Sequence, residues 1–196
     1  LEFDMRHFMS FKTGPLDTNW SKQYGRKKFY TYGCNALYRD FSPDFLFVTG
    51  DEITKEVVNS GYCEDHVVYA NNWVLPQYPN KFHYIPENPA YNSGALAAYM
   101  AAFDGHKKIF MLGFDGNDTN NLNCNVYNNT NGYPTKEYQT LEEFWVVALK
   151  NVMDVYDDTE FIRVAPSENF RTPEPWKYNL NFRTISFRQF VLEADI

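Results

Sequence analysis

Short apolar runs alternate along this chain with segments of helical period, a pattern that predicts βαβ units around a parallel sheet. The firmest strands are residues 45–49 (Phe-Leu-Phe-Val-Thr) and 107–112 (Lys-Lys-Ile-Phe-Met-Leu). Both are near-continuous apolar runs, as a strand covered on two faces requires. Residues 6–11, 28–32, 66–69, 82–85 and 161–164 are further strand candidates. Helical spacing predicts a short helix over 53–60, stopped by Gly61, a natural C′ residue. An Ala-rich helix is expected over 94–104, capped by Ser93, with Leu96, Tyr99, Met100 and Phe103 on one face. Thr140-Leu141-Glu142-Glu143 is a capping box opening another helix, with Leu141, Trp145, Ala148, Val152 and Val155 at suitable spacing. The tail, with Pro173, Pro175 and Trp176, reads as irregular structure wrapped on the sheet. The expected fold class is therefore α/β. It is a Rossmann-like three-layer sandwich with a mostly parallel sheet, one domain over residues 1–196, and an irregular C-terminal tail.

A chain of 196 residues buries enough surface to need no covalent staples. Its three cysteines, Cys34, Cys63 and Cys124, lie too far apart for a zinc knuckle and are too few for a disulfide framework. A reducing, cytoplasmic setting is expected. No stretch approaches the roughly 18 apolar residues of a membrane span, and Leu1-Glu2-Phe3-Asp4-Met5 carries no basic start followed by an apolar run. The formal net charge of −7, with one short basic run at Gly25-Arg26-Lys27-Lys28, argues against nucleic acid as a partner. The aromatic content of 18% predicts either a Phe-rich core rimmed by Tyr or a pocket that stacks rings on a base or sugar. Residues 116–138 are polar, Asn-rich and without period, and a loop of that length in a compact domain is usually functional or disordered.

Ligands of an open parallel sheet sit outside the carboxyl ends of its strands. Thr13-Gly14-Pro15, Gly33-Cys34-Asn35, Thr49-Gly50-Asp51-Glu52, Asn92-Ser93-Gly94 and Asp115 are all expected there. Gly94 would let a ligand approach the backbone, and the unpaired amides of the following helix suit a phosphate or carboxylate. The plainer reading is that Asn92 and Ser93 are ordinary caps. Asn35 carries an amide that can donate to and accept from a base or ribose, or else cap its own turn. Cys34 has no neighbouring base in sequence and reads as a packing residue. Asp51, Glu52, Asp115 and Asp118 offer Mg²⁺ coordination or acid–base chemistry, or simply cap loops. The histidines (His7, His66, His83, His106) have no ligand spacing, and His106 reads as a solvent-side turn residue. No Gly-x-Gly-x-x-Gly, P-loop, Gly-x-Ser-x-Gly or His-Glu-x-x-His is present, so classical NAD binding and serine hydrolysis lose their support.

Two of these segments also resemble motifs of a known superfamily. Residues 32–38 (Tyr-Gly-Cys-Asn-Ala-Leu-Tyr), followed by 43–48 (Pro-Asp-Phe-Leu-Phe-Val), look like its second motif. Residues 92–98 (Asn-Ser-Gly-Ala-Leu-Ala-Ala), with 105–115 (Gly-His-Lys-Lys-Ile-Phe-Met-Leu-Gly-Phe-Asp), resemble its central motif. This bacterial and phage superfamily includes *Campylobacter*-type sialyltransferases, motility accessory factor proteins and archaeal hydroxymethylpterin pyrophosphokinases. The resemblance covers residues 29–115 and extends to the strand ending Val164-Ala165-Pro166-Ser167. It implies a nucleotide-binding protein in which Asn35, Asn92, Ser93 and Gly94 contact the nucleotide. Two departures matter. The family's first loop reads Gly-Asn-Gly-Pro-Ser, whereas Lys12-Thr13-Gly14-Pro15-Leu16 keeps Gly14 but lacks the Asn. The sialyltransferases also carry a base histidine before their last helix, and residues 116–160 contain none, which leaves Asp115, Asp118 or Glu137 to replace it.

The combined expectation is a glycosyltransferase-like protein with a nucleotide-sugar donor, cytidine-linked if it follows the sialyltransferases. Ser93 and Gly94 would hold phosphate, Gly14, Gly33, Asn35 and Asn92 would shape the nucleotide site, and Asp115 and Asp118 would be catalytic. Tyr127, Tyr133 and Tyr138 would form an acceptor-side lid whose hydroxyls steady the leaving phosphate. The competing expectations are a Mg²⁺-dependent pyrophosphokinase-like enzyme using Asp51 and Asp115, and a non-catalytic nucleotide-binding relative.

Overall fold

The computed structural model describes residues 9–12, 29–87, 89–114, 127, 129–133, 142–165 and 172–195. Seven strands, β1 (Met9–Lys12), β2 (Phe29–Cys34), β3 (Phe45–Val48), β4 (Val68–Ala70), β5 (Lys108–Met111), β6 (Glu160–Ala165) and β7 (Phe182–Ser186), lie in the order β4-β3-β2-β1-β5-β6-β7. The helices are α1 (Asp51–Asn59), α2 (Tyr62–Asp65), α3 (Ser93–Phe103), α4 (Glu142–Val155) and α5 (Phe187–Ala194). Every neighbouring pair of strands is parallel except the two made by β1. The α/β class and the mostly parallel sheet are as the sequence pattern predicts.

Without β1, the order is that of a doubly wound sheet, reversing between β2 and β5. The strand β1 is inserted at that reversal. Its expected counterpart, residues 6–11, reads in sequence as one more strand of a mostly parallel sheet, yet it runs antiparallel to both neighbours, with Met9 paired to Met111 and Lys12 to both Phe29 and Lys108. It therefore ends beside the starts of β2 and β5, at the edge opposite Gly33. Gly14, which follows it, lies outside the described residues.

Alternation along the strands divides the core. Tyr32, Phe47, Ile109, Met111 and Phe161 face α3 and α4, with Trp176 closing that cluster. Leu46, Val48, Val68 and Ala70 meet Ile53 and Val57 of α1 on the other side, and Phe110, Leu112, Ile162 and Val164 meet Phe190 and Ala194 of α5. Helix α3 is buried from Ala95 to Ala102 almost all round. Its alanines let it sit tightly between sheet and α4, and a helix apolar on every side is one that is covered on every side. Only Phe103, expected on the buried face, escapes, at 48% exposed in the last residue of the helix.

The far end of α3 is tied to β2 by a polar cluster. The Tyr32 hydroxyl donates to Asp104 Oδ2 at 2.5 Å and lies 3.1 Å from His106 Nε2. His106 is thus buried rather than solvent-side, and burial lowers its pKa against the opposing charge of Asp104. The expected strand over 82–85 is reduced to one bridge between Tyr69 and His83. The Asn72 side chain takes both the N–H (3.0 Å) and the C=O (2.9 Å) of Ile85, so these groups have no ladder to join. The tail also differs from its irregular expectation, since it supplies β7 and α5. Ser186 ends the strand and caps the helix in a reciprocal box with Gln189. Pro173 and Pro175 made the whole segment look irregular, yet they affect only the turn ahead of it. Among the described residues no helix is long and apolar enough to cross a membrane.

Candidate functional site

The two motifs singled out in the sequence meet. Gly33-Cys34-Asn35 closes β2 at the carboxyl edge, Asn92-Ser93-Gly94 opens α3, and Cys34 lies beside Ser93. Burial pushes the Cys34 thiol up to about 12, with the Ser93 contact only partly opposing it. A thiol held so far from its thiolate is a packing group and not a nucleophile.

At the helix start, the cap is Asn92 and not Ser93. Asn92 Oδ1 accepts from the Ala95 N–H at 2.9 Å, while its carbonyl accepts from Leu96 at 2.9 Å. Ser93, buried, is the first helical residue. The cap serves Ala95, so the Ser93 and Gly94 amides remain as the donors that an anion at this helix dipole would use. Gly94 has a second task. A Cβ there would lie 3.2 Å from the ring of Phe114, so the glycine admits a ring of the chain itself where ligand approach was expected.

Gly33 is likewise a packing glycine. Its Cβ would stand 2.6 Å from Pro43 Cγ and 2.7 Å from Leu37 Cδ2. Beside it, Asp44 Oδ2 accepts from the Thr31 N–H (2.9 Å) and hydroxyl (3.0 Å), and the Asp44 N–H donates to Thr31 Oγ1 (2.8 Å). The spacing between Gly33 and Pro43-Asp44 is therefore a structural lock on the entry to β3.

Asn35 is more than a turn cap. It sits in the left-handed region at φ 50°, its Oδ1 accepts from the Thr49 N–H at 3.3 Å, and its side chain lies beside the Tyr133 hydroxyl. It thus joins the ends of β2 and β3 to the loop beyond β5. Burial raises the Tyr133 phenol to about 12, with the neighbouring Asn35 side chain and Ala36 backbone only partly opposing it. The described part of that loop is pinned by Arg39. Its guanidinium pairs with Glu56 at 2.7 and 2.6 Å, and donates to Thr130 Oγ1 (2.7 Å) and to the Asn131 carbonyl (2.8 Å). Arg39 holds the Glu56 carboxyl down at about 2. Tyr127 lies beneath the same guanidinium, 5.4 Å from its ring centre, and donates to Asp40 Oδ2 at 2.8 Å. Of the expected lid tyrosines, Tyr133 lies beside Asn35 and Tyr127 is a buried anchor.

Asp51 and Glu52 lie exposed in the first turn of α1, where carboxylates complement the helix dipole. Gly14, Asp115, Asp118, Glu137 and Tyr138 lie outside the described residues. Among the described residues no cluster of His, Cys, Asp or Glu could hold a metal ion.

Two polar residues in the interior were not marked by the sequence pattern. Arg163 is wholly buried in β6, where Phe-Ile-Arg-Val reads as an ordinary strand. Asn71, directly after β4 at the carboxyl edge, is only 4% exposed. The one signal was a pair of asparagines following a strand.

No protein-family model, no curated protein and no solved structure matches this chain. The resemblance drawn from residues 29–115 rests on its quoted motifs alone.

Proposed function

We propose that the chain binds a nucleotide at the carboxyl edge of β2 and β3 and transfers a sugar from a nucleotide donor. The observation that carries this reading is the packing of the end of β2 against the start of α3, with Cys34 beside Ser93. It brings a helix start with two available amides against the strand end that bears Asn35, at the reversal point of a doubly wound sheet. On this reading the Ser93 and Gly94 amides receive phosphate. Asn92 is spent on the helix cap, so ribose and base fall to Asn35 and Tyr133. Asp115 and Asp118 are the first candidates for the base.

The test is release of nucleotide from donor sugars, with a cytidine-linked sugar first. Turnover is expected with the untreated protein, to be unchanged by a chelator, and to fall at least tenfold in Asn35→Ala. The account fails for transfer if no donor is consumed. Turnover abolished by the chelator would replace it with a metal-dependent reaction of the pyrophosphokinase kind.

A further inference from the structure

The carboxyl edge holds a buried polar group that no described residue satisfies. Asn71 Oδ1 is buried and has no hydrogen-bond partner among the described residues. A buried carbonyl left unpaired costs about 1–3 kcal/mol, so such a group calls for an explanation. The neighbouring Asn72 shows what a satisfied amide looks like here, with both its groups on Ile85.

Asn71 is placed to serve the site described above. Val48 of β3 pairs with Ala70, which puts Asn71 beside Thr49, the residue whose N–H meets Asn35. Along β4, Tyr69 packs its ring on Phe47 at 5.0 Å in the core shared with α3. Asn35, Thr49 and Asn71 thus form a row along the carboxyl edge from β2 to β4, two strand spacings or roughly 10 Å long. The chain from Ile85, fastened by Asn72, runs to the Asn92 cap of α3.

We infer that Asn71 is a ligand-binding residue of this site, its side-chain carbonyl accepting from an N–H or O–H donor on a nucleoside. This rests on the nucleotide reading and extends it, because it asks the ligand to reach β4 and to present a donor there. Two parts of a nucleoside supply one: an exocyclic amine on the base, or a ribose hydroxyl.

The experiment titrates the protein and its Asn71→Leu, Asn71→Ala and Asn35→Ala variants with CMP, UMP and 2′-deoxy-CMP, and follows thermal unfolding without nucleotide. Asn71→Leu, similar in volume and apolar, is expected to melt at or above the unsubstituted protein. Both Asn71 variants are expected to bind at least tenfold more weakly. A preference for CMP and 2′-deoxy-CMP over UMP identifies the base amine as donor; equal binding of CMP and UMP with weak 2′-deoxy-CMP identifies the ribose. Unchanged affinity in both Asn71 variants, with loss in Asn35→Ala, overturns the role of Asn71 and leaves the site standing. Absence of binding by the unsubstituted protein, to these nucleotides and to GMP and AMP alike, overturns both.

Discussion

Replacing Trp176 with alanine is expected to destabilise the fold by about 3–5 kcal/mol, the usual cost of emptying a buried indole site. Trp176 is fully buried and donates its indole N–H to the Val146 carbonyl at 2.8 Å. Its ring meets Trp145 edge-on at 5.2 Å and Phe182 at 5.3 Å. It therefore joins α4 to β7 across a turn that has little regular structure of its own. Alanine would remove the ring contacts, leave a cavity and orphan the Val146 acceptor at once. For a chain of this size the midpoint should fall by on the order of 10 °C. Thermal unfolding followed by circular dichroism checks this; a fall of only a degree or two would mean that the turn does not hold the two elements together.

The second large effect is expected at Gly33. Its φ is ordinary, so the cost of Gly33→Ala is steric. The added methyl would overlap the Pro43 ring, which cannot rotate away, and Leu37, which is buried. Overpacking of this kind costs about 1–3 kcal/mol. Pro43 cannot simply yield, because Asp44 is fixed by its paired bonds to Thr31. The strain should pass into the turn that carries Asn35, so loss of nucleotide affinity is expected to accompany the loss of stability. Denaturant unfolding and nucleotide titration of the same variant measure both. A variant as stable as the parent would show that Pro43 shifts freely and that the motif spacing has another cause.

Local pattern made parts of this architecture legible and hid others for identifiable reasons. The strand at 108–111 and the helix at 93–103 were visible because each has a strong period or apolar run, and glycines bound them. Their convergence with Gly33-Cys34-Asn35 followed from placing both motifs at carboxyl strand ends. The direction of β1 was not visible, because antiparallel and parallel strands share the same alternation and only the partner decides. His106 between Gly105 and Lys107 looks solvated in sequence; its burial comes from Tyr32, 74 positions away. Gly33 and Gly94 read in sequence as nucleotide-site residues; the fold adds close packing of Gly33 against Pro43 and of Gly94 against Phe114, which only the folded chain displays. Asn71 showed in sequence only as one of two asparagines after a strand, since an unsatisfied acceptor exists only once the fold has buried it.

The central claim is that the edge shared by Asn35, Ser93 and Gly94 holds a nucleotide. Calorimetric titration with CMP, UMP, GMP and AMP, with and without Mg²⁺, tests it most directly, alongside Asn35→Ala and Ser93→Ala. The account predicts metal-independent binding of one monophosphate, weakened at least tenfold in both variants. Binding of none of the four, or binding untouched by either substitution, would contradict it.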